Sequence, residues 1–523
     1  MGSTAETLGP AEAPAGTMVR MSMRVAFLAA ECEPWAKTGG LADVVDALAR
    51  ALGRLGEDAL ATPVDVFLPR YRGVPVPASI ERRSVVQVPD PRAPSGHSPV
   101  TVSDVQADGY RLRLVDHPAA FDRDGYYGDA AGDYADNAWR FGLFCRAALE
   151  TLRADGRRVD VLHLHDWHTG PAAIFRDARY ADDPILGRAA ILMTLHNLAY
   201  HGWTPSTRLA QLGLAPGDGV VALDADGIDL LASGIERAEL VNTVSPGFAA
   251  EALTREFGMG LDGLLREKGD RFIGILNGLD TTAWDPANDP DLAAPYSRSD
   301  RTGKGACRAD LLRRVGFDPD DPRAVIGMVG RLDPQKGFDL LSDAAPALLA
   351  RGVRLVVQGS GDPGLAGPFG KLAAASPDRV AFIERFDRAM ARRIYAGADF
   401  FAMPSRFEPC GQGQMIALRY GTPPIVHRVG GLADTVVDEA AAPGRGTGFS
   451  FDRATTAGLL AACERAVALR SAGGTGWDGL LDRGMAVDFD WTTGSAPRYL
   501  EAYRRAVSIR EGIRGEVGES SAG

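Results

Sequence analysis

No run in this chain comes near the roughly 18 consecutive apolar residues of a membrane-spanning helix, so the sequence holds nothing set to cross a bilayer. Cysteine is scarce. Cys32, Cys145, Cys307, Cys410 and Cys463 are scattered, odd in number and form no CxxC pair. That excludes a disulfide scaffold and points to free thiols in a reducing, cytoplasmic compartment. Positive charge is in deficit, with 57 Lys+Arg against 68 Asp+Glu and a net charge of −11. A nucleic-acid or anionic-membrane binder carries a basic footprint, so neither partner is expected. Any phosphate site must be a local cluster of Lys and Arg. There is no HExxH, no full P-loop and no full dinucleotide fingerprint. Residues 1–22 lack the apolar core of a secretory signal and read as a disordered leader, and the polar tail 511–523 reads as disordered too.

What is present is a globular α/β composition. Hydrophobic residues make up 45% and charged residues 24%, with Gly 62 and Pro 33. A chain of 523 residues exceeds one core and implies two domains. The rest is organised around Pro404-Ser-Arg-Phe-Glu408-Pro-Cys410-Gly411-Gln412-Gly413. An apolar run, Ala398–Met403, precedes it as a buried strand. Met415, Ile416, Leu418 and Tyr420 follow at helical spacing, and Gly421 stops that helix before Ile425-Val426 begins another strand. Arg406 and Glu408 therefore sit in a loop at the carboxyl end of a strand, where open α/β sheets bind ligands. Gly411 and Gly413 leave backbone N–H groups free to face an anion. A carboxylate beside an anion site suits a ligand that is negative at one end and a polyol at the other, such as a sugar nucleotide. The alternative is a surface carboxylate with Arg406 as its partner.

Other segments repeat this grammar. Strand 24–30 runs into Lys37-Thr-Gly39-Gly40 and a helix from Leu41 to about Leu55. Gly39-Gly-Leu-Ala-Asp43 recurs as Gly430-Gly-Leu-Ala-Asp434, which suggests two similar halves turning glycine loops toward one cleft. Five of eight histidines lie in Val159–Gly170 and Ala190–Gly202. Metal binding is tempting, but the spacing fits strand-end histidines in a polar pocket better, and no metal is expected. Strand 324–330 runs into Arg331-Leu-Asp-Pro-Gln-Lys336-Gly337. An Arg and a Lys five apart between strand and helix can converge on one diphosphate. Residues 284–302 read as a linker, and 205–235 are uninformative.

Together these segments resemble bacterial glycogen synthases and plant starch synthases, the retaining glycosyltransferases of family 5 with two Rossmann-like domains (GT-B). The matching words are Lys37-Thr-Gly-Gly-Leu-Ala-Asp, His165-Asp-Trp-His, Thr194-Leu-His-Asn-Leu-Ala-Tyr-His-Gly, Gly274-Ile-Leu-Asn-Gly, Arg331 with Lys336-Gly and Ser405-Arg-Phe-Glu-Pro-Cys-Gly. They run in family order across residues 24–505. The resemblance implies glucose transfer from ADP-glucose to the 4-hydroxyl at the non-reducing end of an α-1,4-glucan, with no cofactor. It implies an acceptor-side domain over 23–274, a nucleotide-sugar domain over 275–493, and a helix over 494–510 crossing back to the first. By the same resemblance, Arg331 and Lys336 hold the diphosphate and Glu408, His196 and Asp166 surround the reacting sugar. Lys37, Gly39, Gly40, Tyr127, Asn197, Asn277, Cys410, Gly411, Gln412 and Gly413 line the site, and Phe386 stacks on the base. Gln412, Asp46, Ala49 and Ala232 depart from the family pattern. UDP-glucose or a small acceptor, and a non-catalytic glucan-binding relative, remain open as alternatives.

Overall fold

The computed structural model describes residues 22–56, 60–61, 63–75, 80–221 and 227–520. The expected leader lies outside the described residues except for Ser22. Two sheets dominate. The first has nine strands: β1 Val25–Leu28, β2 Val64–Pro69, β3 Ile80–Pro89, β4 His97–Gln106, β5 Tyr110–Asp116, β6 Val161–His165, β7 Ala190–Leu195, β8 Leu240–Thr243 and β9 Phe272–Gly274. Their order is β9-β8-β7-β6-β1-β2-β5-β4-β3. Pairing is parallel from β9 to β5 and antiparallel through β4 and β3. The parallel strands β1, β2, β6, β7 and β8 are buried at every position, as helices on both faces require.

The second sheet has six strands: β10 Val325–Leu332, β11 Arg354–Gly361, β12 Val380–Ile383, β13 Phe400–Met403, β14 Pro424–His427 and β15 Phe449–Phe451, in the order β12-β11-β10-β13-β14-β15. All its pairs are parallel. One apolar cluster joins helix Phe338–Ala350 to helix Thr456–Ala472, and another joins Thr302–Arg314 to Arg388–Gly397.

Two segments differ from expectation. Residues 284–302 are not a free linker. Tyr296 is buried and donates its hydroxyl to the Tyr420 carbonyl at 2.9 Å, and Asp289 pairs with Arg392 at 2.7 Å. The tail does not fray at 510. Helix Ala496–Ser520 continues into it, where Arg510 and Arg514 both donate to the Gly187 carbonyl, at 2.8 and 3.0 Å; residues 521–523 lie outside the described residues. The first turns of this helix belong to the first sheet's core, where Tyr499, Leu500, Tyr503 and Ala506 are buried.

Candidate active site

A cavity of about 1080 Å³ opens where the carboxyl ends of the two sheets face each other. Of the residues singled out from sequence, Gly39, Gly40, Tyr127, Asp166, His196, Asn197, Asn277, Arg331, Lys336, Glu408, Cys410, Gly411 and Gln412 line it. Lys37, Phe386 and Gly413 do not. Lys37 turns to Asp43 and Glu33, at 2.6 and 3.4 Å. Phe386 is 79% exposed beyond the end of β12. Gly413 opens helix Gly413–Arg419, and a Cβ there would meet Met403, Phe401 and Tyr395 rather than the cavity.

On the second sheet, β10 delivers Arg331 and Lys336. Arg331 is exposed to the cavity, and its guanidinium has no hydrogen-bond or ion-pair partner among the described residues. The following turn is fixed locally: Asp333 accepts from the Gln335 amide at 2.8 Å. Gln335 then ties the two loops together, donating its side-chain amide to the Phe407 carbonyl and accepting from the Arg406 amide, both at 2.8 Å. Gly337 has φ +70°, and a Cβ there would overlap the Pro404 carbonyl, so only glycine lets the loops meet. The result is a Lys336–Glu408 ion pair at 2.7 Å, with Ser405 Oγ also donating to Glu408 at 3.0 Å. Glu408 is buried. Arg406 is not its partner but forks onto Asp339, at 2.8 and 2.5 Å. Burial pushes the Cys410 thiol up to about 12, so it is no nucleophile at neutral pH.

The first sheet supplies a different chemistry. Asp166 follows β6 in a strained conformation, φ 56° and ψ −176°. Its carboxylate accepts from the His196 amide at 2.7 Å. Burial pushes its pKa up to about 7, against the pull of that hydrogen bond. His196, at the end of β7, and His168 are both pushed down to about 3, chiefly by burial. Both are therefore neutral imidazoles at physiological pH. Tyr127 donates to Glu31 at 2.6 Å. Among the described residues no three His, Cys, Asp or Glu side chains converge as a metal site.

One expectation changes here. The Gly39 amide, with the Thr38 amide and hydroxyl, is taken by the Glu31 carboxylate, at 3.1, 2.6 and 2.6 Å. The glycine loop of the first sheet thus already holds an anion of its own. Glu31, His168, Trp203 and Arg208 also line the cavity and were not singled out. Glu31 carries a readable signal, an acid that ends the apolar run holding β1. Arg208 stands in the stretch without periodicity and, like Arg331, has no partner among the described residues. Of the departures, Asp46 is satisfied by Arg50 and by the Tyr110 hydroxyl, and Ala232 is simply buried in helix Leu230–Arg237.

Two doubly wound sheets with their carboxyl ends across one cleft, the last helix returning to the first, define a glycosyltransferase of the GT-B class. The chain matches the model of the starch synthase catalytic domain over residues 24–267 and that of group 1 glycosyl transferases over 323–468. It is 40% identical over 491 residues to a glycogen synthase of Syntrophotalea carbinolica, covering 93% of this chain and 99% of that one. It is 44% identical over 500 residues to a glycogen synthase of Anaeromyxobacter dehalogenans, covering 92% and 99%. The catalytic domain of starch synthase IV from Arabidopsis thaliana, bound to ADP and acarbose, superposes with TM-score 0.82 at 34% identity, over 93% of this chain and all of that domain. The chain belongs to the glycogen synthase family, whose members are hexosyltransferases.

Proposed function

We propose that this protein transfers glucose, with retention, from ADP-glucose to the 4-hydroxyl at the non-reducing end of an α-1,4-glucan in the cytoplasm. The observation that carries the reading is the charge arrangement at the end of β10. Arg331 is a guanidinium in the cavity with no partner among the described residues, and Lys336 is tethered in the same loop to Glu408. In this reading the two cations take the donor diphosphate. They stabilise the charge that grows on the leaving phosphate. The bond between the anomeric carbon and the phosphate oxygen breaks as the bond to the acceptor oxygen forms on the same face. The acceptor's proton passes to the departing phosphate. Glu408 then lies beside the sugar ring, where its negative charge favours a positive anomeric carbon. His196, Asp166 and Asn277 orient the glucose from the other sheet. The Arabidopsis relative was solved with ADP, which supports an adenine nucleotide as the other product. Residues 23–274 serve the acceptor and 275–493 the nucleotide sugar. The free thiols of all five cysteines fit a reducing compartment.

The test is nucleotide release from ADP-glucose and, separately, UDP-glucose, each with and without glycogen. Release from ADP-glucose only when glycogen is present is expected. Release from UDP-glucose, or only with a small sugar acceptor, moves the assignment to another donor or acceptor. Glucan binding without release from any pair leaves a non-catalytic relative. Within the expected outcome, Glu408→Ala lowers kcat far more than it raises KM for the donor, whereas Lys336→Ala changes both.

A further inference from the structure

Behind the cavity wall lie two imidazoles that the proposed transfer does not use, and they lead to His196. His163 and His165 on β6 pack with ring centroids 4.1 Å apart, and His165 meets His196 edge to edge with centroids 5.3 Å apart. The protons at the inner end are set by chemistry. The Thr194 hydroxyl donates to Asn242 Oδ1 at 2.7 Å, so it must accept from His163 Nε2 at 2.6 Å. That leaves His163 Nδ1 to accept from the Tyr503 hydroxyl at 2.9 Å.

The His165 ring has one protein partner among the described residues. Its Nδ1 lies 3.0 Å from His196 Nε2, and its own Nε2 is buried with no protein partner among them. A neutral imidazole carries one proton. Placed on Nε2, it would be a buried N–H donor with nothing to receive it, the rarer and costlier kind of orphan. Placed on Nδ1, it makes the bond to His196 and leaves only a lone pair unmatched. His196 Nε2 is then the acceptor, and its own proton must sit on Nδ1. That nitrogen has no protein partner among the described residues and is not closed off from the cavity that His196 lines.

We propose that His165 is a positioning residue that fixes His196 as its Nδ1–H tautomer, so that His196 offers the cavity a hydrogen-bond donor matched to a sugar oxygen. The sugar rests on the function proposed above; the tautomer does not. A histidine with no such constraint favours the Nε2–H form, which would turn a bare lone pair toward the ligand.

The measurement is nitrogen NMR of the full chain carrying isotope-labelled histidine, with the His196 signals identified by their loss in His196→Asn. Wild type should show His196 protonated on Nδ1 only. In His165→Leu the proton should move largely to Nε2, and kcat should fall about tenfold with KM little changed. His165→Asn keeps an N–H donor near the position of Nδ1 and should restore both the tautomer and most of the rate. A wild-type His196 protonated on Nε2 overturns the inference, as does a leucine variant at least as active as the asparagine one, which is what a purely packing role would give. If His165→Leu does not fold, the wild-type and His165→Asn spectra still decide. If no donor supports transfer while wild type shows the Nδ1–H form, the functional assignment fails and the tautomer assignment stands.

Discussion

Asp166 carries two unfavourable features at once. Its backbone lies where glycine is usual, at a cost of about 1–3 kcal/mol, and its buried carboxyl is raised to about 7. An unfolded Asp titrates near its ordinary 3.8. Between those values the folded protein holds a proton that the unfolded chain has lost. Stability therefore declines as pH rises from about 4 to 7 and stays at the lower level above, a linkage on the order of 4 kcal/mol. Asp166→Asn keeps an oxygen to accept from the His196 amide and removes the linkage. Its melting temperature should exceed that of wild type above pH 7, and the gap should close as pH approaches 4. Thermal scans across that range check this, and a gap that does not change with pH contradicts it. Activity should fall in the same variant. The Lys336–Glu408 pair gives a second residue-level expectation. Lys336→Met leaves a buried carboxylate without its cation. The double change with Glu408→Gln should then be more stable than additivity predicts, by about 1–3 kcal/mol in denaturant titrations.

Among the elements, the glycine helix Gly430–Thr435 does more than echo the first glycine loop. A Cβ on Gly431 would overlap the Cys410 carbonyl, and the Gly431 amide donates to the Glu408 carbonyl at 3.1 Å. Gly431→Ala should therefore leave the far-ultraviolet circular dichroism nearly unchanged while activity falls at least about tenfold; near-wild-type activity would show that the Glu408 loop can yield. This scale also shows what is legible in the sequence. Strands buried on both faces announce themselves as apolar runs: β1 and β13 lie within unbroken ones, whereas β6, β7 and β10 show as runs interrupted by His163 and His165, by Thr194 and by Arg331 with two glycines. The helix Phe338–Ala350 shows itself by its spacing after Gly337. The hairpin β3–β4 does not. Its strands are long but half exposed, with Glu81, Arg82 and Arg83 facing solvent at the sheet edge, so no apolar run marks them. Arg208 is equally hidden, since only tertiary packing brings its aperiodic segment to the cavity. Phe386 is the reverse case: its place in the chain is plain, and only the fold shows its ring exposed outside the cavity lining.

Over the whole molecule, the two halves are latched directly. Ser245 donates to the Pro409 carbonyl at 2.6 Å, and Glu251 accepts from the Gly430 amide at 2.7 Å. They are also joined through the returning helix. Trp491, Tyr499, Leu500 and Tyr503 are part of the first sheet's apolar core, and the Tyr499 and Tyr503 hydroxyls meet Asn242 and His163 inside it. Residues 22–274 expressed alone should thus be poorly soluble and bind a hydrophobic dye. The same segment with residues 490–520 attached by a flexible linker should unfold cooperatively. Equal behaviour of the two would show that the helix is an accessory to that core.

The returning helix also bears on the order of events during synthesis. Ribosomes release a chain from its amino end, and domains commonly fold as they emerge. Here the β1–β9 sheet comes out first but must wait, with its histidine and threonine side chains uncovered, until the whole β10–β15 sheet has been made. A nascent chain stalled anywhere in that interval presents an open apolar seam. Chaperones that grip such seams should therefore hold this protein longer than they would hold two Rossmann-like domains arranged one after the other.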